Sequence, residues 1–199
     1  MVKARRRYFL LIILTLGSIS AFTQPRLSVE RDNYFPGIFS VSLQEVVPSN
    51  DSNQEDLLVY VFLSPECPLC QHYMPELKKL QSVYKNKIRI KGIIPGRAYS
   101  RDTLIYFKNE YAINFSLFID SVKELSGYLS ASVTPEVMLF TKKGERIYQG
   151  AIDNWMKELG QKRIKPTEHY LEDAITAALN GRKITVNKTE AKGCLINDF

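Results

Sequence analysis

Residues 57–80 read LLVYVFLSPECPLCQHYMPELKKL, and this stretch decides how the rest of the chain is interpreted. Residues 57–63 form an apolar run, rich in β-branched and aromatic side chains, that has the length of one strand. Ser64-Pro65 interrupts the run, and the apolar residues that follow recur at steps of three and four, which is helical spacing. They are Leu69, Tyr73, Leu77 and Leu80. The stretch therefore predicts a buried strand followed directly by a helix.

Two cysteines lie at the predicted junction, in Cys67-Pro68-Leu69-Cys70. Pro68 suits the first turn of a helix, where a residue needs no backbone donor. A thiolate there faces unpaired N–H groups and the positive end of the helix dipole, so we expect Cys67 to have a lowered pKa and to act as a nucleophile. Cys70 lies one turn further in and is expected to be the shielded, resolving thiol.

A Cys-x-x-Cys pair is also compatible with half of a zinc site or with an inert structural disulfide. The sequence contains no second Cys-x-x-Cys and no His-x-His that would complete a zinc site. The strand–motif–helix context favours a redox-active dithiol over both alternatives.

Three segments resemble a known family. Residues 60–80 resemble the active-site segment of the thioredoxin-like superfamily, and residues 133–140 (VTPEVMLF) resemble its cis-proline loop and the strand that follows. The continuation Gly144…Tyr148-x-Gly150 is similar to the hairpin of extracytoplasmic thiol–disulfide oxidoreductases and of the redoxin (alkyl hydroperoxide reductase/thiol-specific antioxidant) group. The resemblance covers roughly residues 38–180.

The resemblance implies an α/β fold of three α/β/α layers around a central mixed sheet, with an N-terminal strand or hairpin and a βα insertion. It also implies that Thr134-Pro135 is a cis peptide packed against the dithiol, where it binds an extended substrate. The implied activity is that of a protein-disulfide reductase or oxidoreductase working by dithiol–disulfide exchange at Cys67 and Cys70. No cofactor and no metal are expected for this reaction.

The N-terminus predicts export. Lys3 and Arg5 to Arg7 form a basic region, an apolar stretch follows, and residues 17–24 are small and polar. We interpret residues 1–24 as a signal peptide, with an uncleaved N-terminal anchor as the alternative. Residues 25–36 are predicted to be a linker, 37–181 the thioredoxin-like domain and 182–199 a C-terminal tail. The expected location is extracytoplasmic, either periplasmic or secreted.

The net charge indicates little about binding partners once the predicted signal peptide, residues 1–24, is excluded. The net charge is +6, and four of the basic residues lie in residues 1–24, which contain no acidic residue, so the remainder carries +2. No basic patch of the nucleic-acid-binding type remains, and no nucleic acid partner is expected. The expected partners are a protein or small-molecule disulfide or dithiol and a membrane redox protein that exchanges electrons with the dithiol.

Further elements are predicted from apolar spacing and turn residues. The predicted strands are 88–94, 115–119, 136–141 and 146–150, with an early strand in 37–47, and the predicted helices are 67–85, 100–111, 122–129 and 167–179. Pro75 is expected to kink the first helix. Thr167 is expected to be the N-cap of the last helix.

Three residues near the dithiol are candidates for tuning it. Glu66 stands where thioredoxin-like oxidoreductases usually carry Trp, and its carboxylate would oppose thiolate formation, accept a proton, or simply be a solvated loop charge. Ser64 precedes the motif by three residues. His72 follows Cys70 by two residues and either tunes the dithiol or lies on a solvated helix face.

Two alternative functions use the same residues. Cys67 and Cys70 with His169 resemble the ligands of thioredoxin-like copper-delivery proteins, although those have a wider cysteine spacing. Ser64-Pro65-Glu66-Cys67 matches half of a peroxiredoxin site, but Tyr60 stands where the proline of that motif is expected.

Cys194 is the third of three cysteines and lies in the tail. The residues leave three interpretations open: a third redox thiol that folds back on the dithiol, an intermolecular link, or an unused buried thiol.

Overall fold

A computed structural model describes residues 55–196 and, nearer the N-terminus, the two strand segments Val29–Glu30 and Leu43–Val47. The predicted signal peptide and most of the predicted linker lie outside the described residues. Within the part of the chain that is described, no helix has both the length and the apolar character needed to span a membrane.

The elements alternate between strands and helices along most of the chain. The strands are β1 Val29–Glu30, β2 Leu43–Val47, β3 Leu57–Phe62, β4 Ile88–Pro95, β5 Ser116–Asp120, β6 Val133–Thr134, β7 Glu136–Thr141, β8 Arg146–Gly150, β9 Met156–Glu158, β10 Gln161–Lys162 and β11 Cys194–Leu195. The helices are α1 Pro68–Val83, α2 Arg101–Glu110, α3 Glu124–Leu129 and α4 Tyr170–Leu179.

Seven strands form one mixed sheet in the order β1-β2-β5-β4-β3-β7-β8. The central strands β3, β4 and β5 are parallel, and β7 and β2 join them antiparallel on either side. The parallel β3–α1–β4 unit confirms the crossover that the sequence predicts. Two short pairs, β9 with β10 and β6 with β11, lie outside the large sheet.

Strand β3 is buried on both faces, and its side chains alternate between two cores. Leu57, Val59 and Val61 pack on the face covered by α1, α2 and α4. Leu58, Tyr60 and Phe62 pack on the opposite face, where α3 covers the sheet. The predicted α/β/α architecture is therefore present, and the described part of the chain has three helices on one face and one short helix on the other.

Most predicted elements are confirmed within a few residues, and the last helix is corrected at its start. Helix α4 begins at Tyr170 and its N-cap position is His169, so the prediction of Thr167 as the N-cap is wrong. The reason is that Asn154 Oδ1 accepts the backbone N–H of Thr167 (2.9 Å) and of Glu168 (3.3 Å), which holds these residues in a loop.

Two predicted boundaries also need correction. Val29–Glu30 lies inside the predicted linker 25–36, yet it pairs with β2 at the edge of the sheet. The predicted tail 182–199 is packed on the domain as far as Ile196, through a bridge to Gln149 and through strand β11. Short segments such as these carry too few apolar residues to be recognised by periodicity.

Candidate active site

The site lies where β3 ends and α1 begins. Cys67 is the N-cap residue of α1, with extended backbone angles, and Pro68 occupies the first turn as predicted. Cys67 N–H donates to the carbonyl of Ser64 (3.1 Å), which closes the turn between strand and helix. Pro75 lies inside the helix, as predicted. The local fold therefore places both thiols at the N-terminal end of a 16-residue helix.

Cys67 has the properties of a nucleophile. A hydrogen bond from the Cys70 thiol, and a further one from Cys194, lower the pKa of Cys67 from 9.0 to about 4, although burial opposes this change. The predicted lowering is thus confirmed in direction. The sequence assigned it to the helix N-terminus, whereas the largest effect comes from neighbouring thiols, one of them remote in sequence.

Cys70 is fully buried and is the shielded member of the pair. Burial, and next the hydrogen bond that it donates to Cys67, raise the pKa of the Cys70 thiol well above its usual value. The backbone N–H of Ser64 lies 3.4 Å from Cys70 Sγ and is a donor to it. The structure thus pairs one thiolate with one protonated thiol.

The loop before β7 completes one wall of the site. The Thr134–Pro135 peptide is cis, as the resemblance implies. The carbonyl oxygen of Thr134 lies 3.2 Å from Cys67 Sγ. A protonated Cys67 donates to this carbonyl, whereas the thiolate instead accepts from the other cysteines. Two segments that are 67 residues apart in sequence therefore meet at the reactive sulfur.

Cys194 reaches the same sulfur from the C-terminal segment. Strand β11 pairs antiparallel with β6, so that Cys194 lies opposite Thr134 and Leu195 opposite Val133. Cys194 is exposed, and its Sγ donates to Cys67 Sγ across 2.6 Å. The interpretation of Cys194 as an unused buried thiol is therefore wrong, and the fold-back interpretation is the one that this geometry matches.

Several contacts hold the C-terminal segment against the domain. Thr189 Oγ1 accepts the N–H of Ala151 (2.9 Å) and bonds the hydroxyl of Tyr148 (2.7 Å). Ile196 N–H donates to the carbonyl of Ser132 (3.0 Å). At Gly193, a Cβ atom would lie 2.7 Å from the carbonyl carbon of Thr134, so only glycine permits this approach without a shift.

Ser64 and Glu66 make different contacts near the dithiol. The Ser64 hydroxyl bonds the hydroxyl of Tyr99 (2.8 Å), while its backbone faces Cys70. Glu66 is exposed and accepts a long hydrogen bond (3.5 Å) from Tyr99. Tyr99, which no sequence pattern singles out, therefore connects the two predicted tuning residues.

His72 lies on the exposed side of α1 and stacks on Trp155, with ring centroids 3.6 Å apart and an interplanar angle of 13°. Partial burial lowers the pKa of His72, the nearby Asp153 raises it, and Lys162 lowers it. The buried Asp153 accepts a hydrogen bond from Tyr73 (2.5 Å). His72 thus packs on the loop that follows β8, and it is not among the groups that shift the pKa values of Cys67 and Cys70.

His169 does not join the dithiol. Its ligand atom lies within 4.8 Å of those of Glu76 and Glu172, the one such cluster found among the described residues. Glu76 is nine residues along α1 from Cys67, which corresponds to about 13 Å at 1.5 Å per residue. Lys79 pairs with both carboxylates at 3.2 Å. The copper ligand set of Cys67, Cys70 and His169 is therefore not assembled.

A cavity of about 370 Å³ lies beside the thiols. It is bordered by Ser64, by Tyr99 and the loop after β4, by Thr134, and by residues 194–196. The arrangement can perform nucleophilic thiol chemistry: it has a stabilised thiolate, a protonated partner thiol, and a third thiol that borders the cavity.

Comparison with known proteins places this geometry in context. No family model matches the chain. The ClpXP adapter protein SpxH of Halalkalibacterium halodurans is 28% identical over 99 residues, covering 43% of this chain and 32% of that protein. The match thus spans about a third of the length of that curated relative.

Solved structures share the fold. A hypothetical protein from Sinorhizobium meliloti 1021 superposes with a TM-score of 0.64 at 20% identity, covering 72% of this chain and 80% of that one. An uncharacterised conserved protein from Geobacillus kaustophilus gives 0.63 at 20% identity, covering 81% and 93%. A thioredoxin-like protein studied in its oxidised form gives 0.50 at 18% identity, covering 64% and 80%. The fold of this chain is thioredoxin-like.

Proposed function

We propose that the protein is a thiol–disulfide oxidoreductase that exchanges dithiols and disulfides through Cys67 and Cys70. The observation that carries the proposal is the asymmetry of the pair. The pKa of Cys67 is lowered to about 4 by hydrogen bonds from the Cys70 and Cys194 thiols, and that of Cys70 is raised by burial. The thiolate is the reactive form in this exchange, so Cys67 attacks first and Cys70 resolves.

In the reducing direction, the Cys67 thiolate attacks one sulfur of a substrate disulfide. A mixed disulfide forms, and the other substrate sulfur leaves as a thiolate that takes up a proton. Cys70 then loses its proton and attacks Cys67 Sγ, which forms the Cys67–Cys70 disulfide and releases the second substrate sulfur. Two electrons pass from the dithiol to the substrate, and the oxidising direction is the reverse.

The substrate is proposed to bind in an extended pose along Thr134 and Pro135. The edge of β6 faces the reactive sulfur, and β11 occupies this edge in this structure, so a substrate pairs with β6 directly only when β11 is displaced. Main-chain pairing at such an edge tolerates many side chains, which suits a protein or peptide disulfide substrate.

The stabilised thiolate also bears on the direction of electron flow. Interactions that favour the Cys67 thiolate favour the reduced form of the couple and make the disulfide more oxidising. We therefore place the potential above that of thioredoxin, about −270 mV, towards the more oxidising members of the family. The sequence leaves the direction open between a reductase and an oxidase, and this argument favours an oxidant or an isomerase.

Location and partners follow from the same proposal. Residues 1–24 have the pattern of an export signal, and disulfide exchange at a high potential suits an extracytoplasmic compartment. There the couple needs an electron-exchange partner, for which a membrane redox protein is proposed.

The test is disulfide exchange by the full-length chain with a disulfide-bonded peptide, followed by separation of the reduced and oxidised forms. Cys67→Ser should abolish exchange, and the double variant Cys70→Ser, Cys194→Ser, which keeps no second thiol near Cys67, should leave the enzyme trapped as a mixed disulfide through Cys67. Exchange that persists in Cys67→Ser would overturn the proposal. Met74→Leu, a volume-conserving change in the core beside the dithiol, is the matched control and should exchange normally.

The same preparations separate the alternative functions. Rapid consumption of hydrogen peroxide without exchange of peptide disulfides would assign a peroxidase. Retention of one Cu(I) per chain against a chelator, with no exchange, would assign a copper carrier. Neither alternative has a supporting contact of its own: Tyr60 is buried in the core, and His169 lies with Glu76 and Glu172.

A further inference from the structure

The C-terminal segment occupies the edge where an extended substrate would pair. Strand β11 runs antiparallel to β6, and Cys194 lies opposite Thr134, the residue directly before the cis proline. Addition of a strand to an exposed edge is a common mode of peptide recognition. Here the added strand belongs to the chain itself and carries a cysteine.

The placement of this strand is specified by contacts on both sides of the cysteine. Gly193 allows the backbone to approach Thr134, and Ile196 donates to Ser132 (3.0 Å) and packs on the core beneath α3. Further back, Thr189 bonds Ala151 and Tyr148. These contacts fix the register that brings Cys194 Sγ to 2.6 Å from Cys67 Sγ.

Exposure differs sharply among the three thiols. Cys67 is 2% exposed and Cys70 is fully buried, while Cys194 is exposed. Cys194 is therefore the first of the three cysteines that a substrate approaching the folded chain meets.

We propose that Cys194 is a third catalytic thiol, which passes disulfide bonds between the buried Cys67 and substrates at the surface. This inference rests on the proposed exchange function and adds the route that the exchange takes. The segment 187–196 is then a built-in relay strand.

The relay consists of three successive thiol–disulfide exchanges, each of which balances. In the oxidised enzyme, the Cys194 thiol loses its proton and attacks Cys67 Sγ; the Cys67–Cys194 bond forms, the Cys67–Cys70 bond breaks, and Cys70 takes up the proton. A substrate thiolate then attacks Cys194 Sγ and releases the Cys67 thiolate. The second substrate thiol displaces Cys194, so that the substrate dithiol is oxidised and all three enzyme thiols are reduced.

The charge state of Cys67 suits this order. In the reduced enzyme, burial and the hydrogen bond to Cys67 raise the pKa of Cys194 to about 11, so Cys194 stays protonated. In the oxidised enzyme, Cys67 carries no charge, and the part of this effect that comes from its thiolate is absent. The pKa of Cys194 is thus raised less in the oxidised enzyme, and Cys194 is more reactive in the state in which it has the Cys67–Cys70 disulfide to attack.

The decisive experiment uses full-length Cys70→Ser treated with oxidised glutathione, with intact mass and peptide mapping as the readout. Glutathione first adds to Cys67. The relay predicts that Cys194 then displaces glutathione, leaving an internal Cys67–Cys194 disulfide and no adduct. In the matched Cys70→Ser, Cys194→Ser chain, the glutathione adduct on Cys67 should persist.

The other outcomes are distinct. A lasting adduct on Cys67 in Cys70→Ser, with Cys194 free, overturns the relay and leaves the proposed exchange function intact. An unmodified Cys67 contradicts both the relay and the proposed function, because the nucleophile has then failed to react at all.

Turnover supplies a second test. In the intact chain a substrate thiol attacks the exposed Cys194, whereas in Cys194→Ser it must reach Cys67 itself, which is 2% exposed. Oxidation of a dithiol peptide should therefore slow strongly in Cys194→Ser. An unchanged or faster rate would mean that the strand only covers the site, and would overturn the relay.

The position of the strand can be tested without removing either Cys67 or Cys194. Gly193→Val forces the backbone away from Thr134 and should slow formation of the Cys67–Cys194 disulfide in the Cys70→Ser background. Gly127→Ala is the matched control, since a Cβ there meets nothing within 4 Å. Equal rates in the two variants would contradict the role assigned to the strand.

Discussion

The carbonyl oxygen of Thr134 lies 3.2 Å from the sulfur of Cys67, and this contact joins the loop of the cis proline to the start of α1. On its other sides the Cys67 sulfur is bonded by the thiols of Cys70 and Cys194. The reactive sulfur is therefore surrounded by one strand edge and two further thiols, and its ionisation depends on those two thiols.

The first prediction concerns the pH dependence of Cys67. Its pKa of about 4 means that the thiolate is nearly complete at pH 7 and is lost only as the pH falls through about 4. The thiolate absorbance in the ultraviolet, recorded for the reduced chain from pH 3 to 10 and compared with Cys67→Ser, measures this directly. A midpoint near the ordinary 9.0 would contradict the description of the site.

Variants separate the two hydrogen-bond donors to Cys67. Cys70→Ala removes the largest stabilising contact and should raise the Cys67 pKa more than Cys194→Ala does. Because the folded pKa lies below the unfolded one, ionised Cys67 should stabilise the reduced fold fully above about pH 9, and this contribution should fall away as the pH drops towards 4. The free energies of unfolding of the reduced chain and of Cys67→Ala, measured by denaturation across this range, should differ more as the pH rises.

The second prediction concerns Thr189, which anchors the C-terminal segment. Thr189→Val leaves the Ala151 N–H and the Tyr148 hydroxyl each without one partner, which should lower the free energy of unfolding by about 1–3 kcal/mol. Cys194 should also react faster with a bulky thiol reagent, since the segment is held less firmly. Thr185→Val, at an exposed position of the same segment, should change neither quantity.

The third prediction concerns Asp120, which is 1% exposed at the end of β5. Its carboxylate accepts the N–H of Leu125 (3.3 Å) and both the N–H (2.8 Å) and the hydroxyl (2.6 Å) of Ser126, and so holds the start of α3. Asp120→Asn keeps only one acceptor oxygen and should cost about 1–3 kcal/mol in chemical denaturation. Glu124→Gln removes a charge from an exposed position of the same helix and should cost no more than about 0.5 kcal/mol. Equal effects would show that the hydrogen bonds at Asp120 contribute little.

The sequence predicted the dithiol and the strand–helix junction because local patterns determine both. Apolar spacing marks β3 and α1, and Pro68 marks the first turn. The cis peptide at Thr134 followed from the resemblance to a family, since Thr-Pro alone favours the trans form.

The relation of Cys194 to Cys67 was beyond prediction from local patterns. Strand β11 has two residues and no periodicity, and its position depends on a glycine contact and on hydrogen bonds from residues 187–196 to distant loops. The available signals were the odd number of cysteines and the glycine directly before Cys194. Neither could indicate which of the three interpretations of Cys194 was correct, because contacts between segments 127 residues apart leave no local trace.

The most direct test of the central claim is a redox titration of full-length Cys194→Ser in glutathione buffers, with thiols counted by alkylation and intact mass. This variant isolates the proposed couple from the third thiol. We predict one reversible Cys67–Cys70 disulfide that follows a two-electron dependence, about 30 mV for each tenfold change in the equilibrium constant. If both thiols stay reduced in every buffer, or if Cys67 carries only bound glutathione, the dithiol mechanism is contradicted.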